Sequence, residues 1–269
     1  MKRKQVLLSL ILSFVFVVSG AILSLFNFSV IAEETTSQNK EVLANVAADG
    51  LVVSVYNDSA LTVETVNGQR RITSYNENNI KSLLKEKIET MVGDETNRTA
   101  ITKMLFNVNY TRAMTDSQVV DSAAWTYSYD DAGQVLKDES GNPIRERTTF
   151  SSSNWFDRYR ALIEAGIDIF DYSIDITHDI GVEAWVSVRV NDSHYKNNTD
   201  GSFSSFRDTK ASRRLSSTGT LNFADPSVRQ YMKNYIVELA TNYDIDGIEL
   251  DMLRDVRYFD TTQVKRSKL

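Results

Sequence analysis

The stretch "YDIDGIELDMLRD", Tyr243 to Asp255, decides the fold class of this chain. Its centre, Gly247 to Asp251, has the length and apolar content of a buried β-strand. Because side chains alternate between the two faces of a strand, Glu249 and Asp251 share one face. Burying an acid without a partner is costly, so this strand predicts a functional site as well as a sheet.

Two further segments show the same alternation. The segments "KMLFNVNYT" and "VEAWVSVRVND" each carry apolar side chains on one face. Their opposite faces carry polar residues near the carboxyl end, Asn107 and Asn109 in the first and Arg189 and Asn191 in the second. In a parallel α/β fold, helices cover the apolar faces, and the polar residues lie together at one end of the sheet.

Helical patterns lie between these strands. Trp155 to Ala165 form one predicted helix, Asp168 caps a second helix that stops at Gly181, and Asp225 with Pro226 opens a third. Strands that alternate with helices predict an α/β fold, here a partial (β/α)8 TIM barrel. We expect the barrel to be incomplete, with open strand edges, because three strands are identified and a closed barrel has eight.

The polar groups at the strand ends suit glycosidic bond cleavage. One carboxylic acid protonates the leaving oxygen, and a carboxylate supports the cationic sugar or acts as the nucleophile. Since glycosidase carboxylates often come from different strands, a second acid from elsewhere stays open as an alternative to Glu249. We expect neither a cofactor nor a metal for this chemistry. The predicted catalytic residues are Asp251 and Glu249, and the predicted substrate-binding residues from the strands are Arg189, Asn191, Asn107 and Asn109.

Three stretches together resemble the family-10-like glycosyl hydrolases, exported bacterial TIM-barrel proteins that act on polysaccharides. They are "MLFNVNYTR", "FDYSIDITHDIGVEAWVSVRVNDSHY" and "LNFADPSVRQYMKNYIVELATNYDIDGIELDMLRD". The family pattern Arg-x-Asn-Asp-x-His matches Arg189, Asn191, Asp192 and His194, and the pattern Asp-Gly-Ile-Glu-Leu-Asp-x-x-Arg runs from Asp246 through Glu249 and Asp251 to Arg254. The resemblance covers residues 100–269 and implies that Asp192, His194 and Arg254 also bind substrate.

A second resemblance fails at one position. Family 18 chitinases have a similar acidic strand that ends in a glutamate acting as general acid. Leu253 stands at that position here, so the proton donor of the chitinase mechanism is missing.

The amino-terminal third has a different organisation. Lys2-Arg3-Lys4 precedes an uncharged, mainly apolar run from Val6 to Ala32, which predicts that residues 1–32 are a signal peptide or a retained membrane anchor. Either reading places the protein outside the cell or at its surface. Residues 33–48 are a predicted linker and residues 49–99 a β-rich and helical segment. Within it, "LVVSVY" is a β-like piece, Asn67-Gly68 marks a hairpin, and "NIKSLLKEKIETMV" is a helix. Residues 112–153 are a predicted insertion in the barrel.

Net charge and composition limit the kinds of molecule that the chain is expected to bind. The chain has a net charge of −6, and its first 32 residues carry three basic groups and no acid, so residues 33–269 carry −9. Because binding of phosphate groups needs clustered Lys and Arg, nucleic acid is not an expected partner. The predicted partner is a polysaccharide or cell-envelope glycan, with membrane anchoring through residues 6–32 as an option, and the oligomeric state stays open. Two other functions fit the same residues: a non-catalytic surface glycan-binding protein, and a metal-dependent hydrolase. The metal ligands in the second case are Asp192, His194, Glu249 and Asp251.

Overall fold

A computed structural model describes residues 42–56, 59–93, 101–194, 197 and 201–260. Within these residues the chain is an α/β protein with a four-stranded parallel sheet. The strands are β1 Leu43–Val46, β2 Leu61–Val66, β3 Gln69–Tyr75, β4 Lys103–Asn107, β5 Trp125–Tyr127, β6 Arg145–Arg147, β7 Glu183–Arg189 and β8 Gly247–Asp251. The helices are α1 Ala48–Tyr56, α2 Glu77–Val92, α3 Phe156–Glu164, α4 Ile169–Asp179 and α5 Pro226–Asn242.

The parallel sheet contains β1, β4, β7 and β8, and their order across the sheet is their order along the chain. Leu43 of β1 pairs with Lys103 of β4, and Lys103 pairs with Glu183 of β7. Trp185 of β7 pairs with Gly247 of β8. The prediction of parallel α/β units is confirmed. Among the described residues the sheet is open, with β1 and β8 at its edges, and does not close into a barrel.

The core lies between the sheet and the helices, because each central strand has a continuous apolar face. Met104 and Phe106 of β4 are fully buried, as are Val186 and Val188 of β7. Helix α4 contacts β7, and α5 contacts β8. Burying such a side chain contributes roughly 1.5–3 kcal/mol. On the edge strand β8 the apolar face is less covered, and Leu250 is 40% exposed.

The helix boundaries follow from their capping residues. Asp168 accepts hydrogen bonds from the first backbone N–H groups of α4, and Asp225 does the same for α5, which has Pro226 in its first turn. Asn76 caps α2 in the same way. Helices α3 and α4 agree with the predicted helices, and α2 agrees with "NIKSLLKEKIETMV".

The amino-terminal segment differs from the prediction in two places. The piece "LVVSVY" is part of helix α1, so its assignment as β-like was wrong. Leu51, Val52 and Val55 are buried there at helical spacing, and this packing outweighs the β propensity of valine. Strand β1 lies inside the predicted linker, where the short polar stretch gives little local sign of a strand.

The predicted hairpin at Asn67-Gly68 is confirmed. Strands β2 and β3 pair antiparallel around Asn67 and Gly68, whose φ values of 51° and 76° are those of a tight hairpin turn. The predicted insertion contains the antiparallel pair β5 and β6 and irregular loops.

Two predictions for the amino terminus concern residues outside the described part. The apolar run Val6 to Ala32 belongs to residues 1–41, so signal peptide and anchor stay predictions. Among the described residues, none of the helices combines the length and apolar content that crossing a bilayer requires.

Candidate active site

The predicted site residues lie in two rows across the carboxyl ends of three strands. The pairing register places Asn107, Ser187 and Glu249 side by side in the first row. It places Arg189 beside Asp251 in the second row. Adjacent strands are about 4.8 Å apart, and residues two apart on one strand are about 6.5–7 Å apart, so these groups share a small polar surface. The structure therefore brings together Asn107, Arg189, Glu249 and Asp251.

Arg189 heads a short chain of charged contacts. Its Nη1 donates to Oδ2 of Asp192 at 2.9 Å. The other oxygen of Asp192, Oδ1, accepts from the backbone N–H of His194 at 2.8 Å and also contacts Nδ1 of the imidazole. The Asp192 side chain is only 1% exposed, whereas that of His194 is 59% exposed. A buried, paired carboxylate thus orients an imidazole whose other nitrogen is directed away from that carboxylate.

An aromatic ring supports the same arginine. The guanidinium carbon of Arg189 lies 4.1 Å from the ring centroid of Tyr110, a cation–π contact. Tyr110 falls on the apolar side in the alternation of "KMLFNVNYT", so it was not among the predicted site residues. Its position directly after Asn109 was the available signal, since a tyrosine at a strand end has an apolar ring and a polar tip.

The asparagines divide into two kinds. Asn109 accepts from the backbone N–H of Arg189 at 2.8 Å and donates to its carbonyl at 2.9 Å, so its amide extends the pairing of β4 with β7. Asn191 is 1% exposed, accepts from the N–H of Leu221 at 3.1 Å and donates to the carbonyl of Arg257 at 3.0 Å. Both amides hold backbone in place. Asn107 donates to the carbonyl of Ser187 at 3.3 Å, and its carbonyl oxygen stays open.

The two predicted catalytic acids have different surroundings. Asp251 accepts from the N–H of Leu253 at 3.0 Å and from Nε of Arg254 at 3.1 Å. Glu249 is half-buried, and its carboxylate has no hydrogen bond or ion pair with another described residue. Near Asp251, burial together with negative charge from the acids nearby raises the pKa of Tyr258 to about 12. Tyr258 is therefore a neutral phenol at physiological pH.

Unpaired buried atoms concentrate at this surface. Among the described residues, three buried side-chain atoms have no hydrogen-bond partner: Oδ1 of Asn107, Nε of Arg189 and Oγ1 of Thr115. The first two belong to the adjacent rows that also hold Glu249 and Asp251. A buried donor or acceptor without a partner costs about 1–3 kcal/mol, and such atoms often mark a place where a ligand completes the hydrogen bonding.

Two aromatic residues of this region, Trp185 and Tyr195, have rings of the kind that stack on sugars. Trp185 packs against Gly247, and its Nε1 donates to Glu183 at 2.9 Å. On β7, Trp185 therefore lies nearer the amino-terminal end of the strand than Arg189 does. Tyr195 is outside the described residues. No group of three or more histidine and acidic side chains in the described part of the chain is arranged to hold a metal ion.

Comparison with known proteins adds no family assignment. No protein-family model matches the chain, and no curated protein matches its sequence.

Proposed function

We propose that this protein is an exported glycoside hydrolase of the family-10-like glycosyl hydrolase type, which cleaves O-glycosidic bonds of a polysaccharide or cell-envelope glycan. One observation carries the proposal: Oδ1 of Asn107 and Nε of Arg189 have no hydrogen-bond partner among the described residues, and both are buried in the two rows that also hold Glu249 and Asp251. An open acceptor, an open donor and two carboxylates form a surface that suits a ligand with many hydroxyl groups.

Sugar hydroxyls match these atoms chemically. A hydroxyl group both donates and accepts, so neighbouring hydroxyls satisfy an amide oxygen and a guanidinium N–H at the same time. Hydrogen bonds to a charged donor such as Arg189 are stronger than those between neutral groups. These contacts fix the sugar ring over the two acids.

The two acids take complementary roles in the proposal. Asp251, already paired with Arg254 and beside Arg189 in the sheet, is the carboxylate that supports the cationic sugar in the transition state. Glu249 has no hydrogen bond or ion pair with another described residue that would have to break, so it is the group that protonates the leaving oxygen. His194, held by Asp192, binds the substrate at the rim.

The proposed fold is part of a (β/α)8 barrel. Four parallel strands whose order across the sheet follows the chain, with active-site groups at their carboxyl ends, are the arrangement from which such a barrel is built. The apolar run before residue 33 supports export to the cell surface or beyond it.

Paired isosteric variants test the assignment. The full-length chain is incubated with polysaccharides and cell-envelope glycans, and released reducing ends are measured. We expect Asp251→Asn to lose at least about a hundredfold in turnover, because general acid–base and charge-stabilising groups contribute about that much or more. Glu183→Gln is the matched control, since Glu183 lies on the same face three rows below Asp251. Full turnover by Asp251→Asn contradicts the proposal.

A glycan-binding protein without catalysis is the second candidate. The observation that favours it is that both oxygens of Asp251 already accept hydrogen bonds, from Leu253 and Arg254. Oligosaccharide binding without any release of reducing ends supports this function over hydrolysis. Activity that is lost on chelation and restored by a single metal points instead to a metal-dependent hydrolase.

A further inference from the structure

A cavity of about 510 Å³ lies between the hairpin of β2 and β3, strand β6 and helix α3. It shares no residue with the candidate active site. Its size is within the range of small-molecule sites, about 300–1,000 Å³. The polar and charged side chains that line it are Asn67, Gln69, Arg70, Arg71, Arg147 and Glu164.

The lining is strongly basic. Three arginines and one glutamate give it two net positive charges, although the chain as a whole carries −6. A concave surface of one sign concentrates counter-ions of the opposite sign. The cavity therefore favours an anionic occupant over a neutral one.

A buried ionic network fixes two of these arginines. Behind the wall of the cavity, the side chains of Asp157 and Arg160 are both 0% exposed and bound to each other. Arg160 also donates to Glu164 at 2.6 Å. Asp157 in turn accepts from Arg70 at 3.2 Å, and Glu164 binds Arg147 through both oxygens.

The network has a physical consequence for binding. Burying an ion pair costs free energy that its mutual attraction only partly offsets, so stability alone does not explain it. The buried Arg160 holds two carboxylates, and each carboxylate holds one cavity arginine in place. A ligand thus meets guanidinium groups that are already ordered, which lowers the entropic cost of binding.

Arg71, the third arginine of the cavity, is not held by this ionic network. It is exposed and makes no hydrogen bond or ion pair with another described residue. Its charge is available to a ligand. Planar guanidinium groups bind carboxylates and phosphates through paired N–H donors.

We propose that this cavity, the arginine cavity, binds a small molecule that carries a carboxylate or a phosphate group. The site is separate from the carboxyl ends of the sheet and does not depend on the proposed catalysis. Carboxylate and phosphate share the recognition chemistry, and the two sources are distinguished by the ligands used in the test.

Calorimetric titration of the full-length chain in mild detergent tests the site with three ligands. Galacturonate carries the carboxylate, glucose 1-phosphate carries the phosphate, and glucose is the neutral control. We expect at least one of the two anions to bind and glucose not to bind. Binding weakens as salt is added, because the interaction is between charges at a partly open site.

Arg71→Gln provides the specific variant. Loss of a charge-assisted hydrogen bond weakens binding of the anion by about tenfold. Arg214→Gln is the control, since Arg214 is similarly exposed and lies outside the cavity. Asp251→Asn keeps full anion binding, which separates this site from the proposed active site. Equal binding of glucose and the anions, no binding of either anion, or equal binding by Arg71→Gln and the parent overturns the proposal.

Discussion

Two glycines in the insertion offer a matched test of tertiary packing. Asp130 to Gln134 and Asp138 to Asn142 form two turns of the same design, in which the aspartate carbonyl accepts from the glycine N–H three residues later. Gly133 and Gly141 have φ values of 83° and 84°, so both occupy the left-handed region. In each turn the aspartate Oδ1 also accepts from the residue after the glycine, at 2.8 Å and 2.9 Å.

The surroundings of the two turns differ. A Cβ atom added at Gly133 would lie 2.5 Å from the carbonyl oxygen of Ser227, whereas one at Gly141 has nothing within 4 Å. Alanine at Gly141 therefore costs only the left-handed conformation, about 1–2 kcal/mol. Alanine at Gly133 costs that amount plus the displacement of the turn from the first turn of helix α5, about 1–3 kcal/mol more.

The displaced turn also loses contacts to its neighbours. Asn234 of α5 donates to the Gln134 side chain at 3.1 Å, and the buried Arg213 donates to the Asp130 carbonyl. These hydrogen bonds are lost or lengthened when the turn moves, which places the effect of Gly133→Ala toward the upper end of the range.

Urea unfolding of the two variants and the parent measures the difference. We expect the free energy of unfolding of Gly133→Ala to be lower than that of Gly141→Ala by about 1–3 kcal/mol, with similar slopes against urea. Equal destabilisation by the two substitutions refutes the reasoning, because it means that the turn of Gly133 does not pack against α5.

Three further predictions concern groups that are packed or hydrogen-bonded away from the candidate active site. Asp121 accepts five hydrogen bonds of 2.7–2.9 Å from the insertion and the loop after β7. Asp121→Asn should therefore lower the free energy of unfolding in urea by roughly 3 kcal/mol. The control is Asp131→Asn, which should lower it by less than about 0.5 kcal/mol because the Asp131 side chain is 96% exposed, and equal effects of the two substitutions contradict the prediction. A Cβ at Gly247 would lie 2.7 Å from the ring of Trp185, so Gly247→Ala should lower the free energy of unfolding by about 1–3 kcal/mol. In a double-mutant cycle, Trp185→Leu should relieve most of this loss, and additive effects of the two substitutions argue against the clash. Burial raises the pKa of Glu238, so its contribution to stability is present at acidic pH and is lost as the pH rises through the folded-state pKa. Unfolding measured across a pH series should show Glu238→Gln gaining stability relative to the parent as the pH rises, and a constant difference contradicts this.

The local features of the fold were predictable from neighbouring residues. Asp168 and Asp225 cap the two helices where the sequence predicts them, because a cap depends on backbone N–H groups two or three residues away. The hairpin at Asn67 follows from the few residue types that adopt positive φ. Alternation identified β7 and β8 and predicted Arg189 and Asp251 at their carboxyl ends, and the structure places the two residues side by side.

The roles of individual side chains were less predictable. Asn109 and Asn191 were predicted from the same alternation as the open Asn107, yet both use their amides on backbone groups. For Asn191 the acceptor carbonyl of Arg257 is 66 positions away. Alternation tells which face a side chain occupies, and it carries no information on which loop crosses that face.

By itself the sequence determined the α/β class, the strands β4, β7 and β8, and the polar groups at their ends, since strand period, caps and turns are set within a few residues. Tertiary structure alone decided that "LVVSVY" is helical, that β1 joins the sheet, and that Arg160 is buried between two acids. Asp157 and Arg70 are 87 positions apart. Contacts over such distances form only when the whole chain packs, so the arginine cavity has no signature in any short segment.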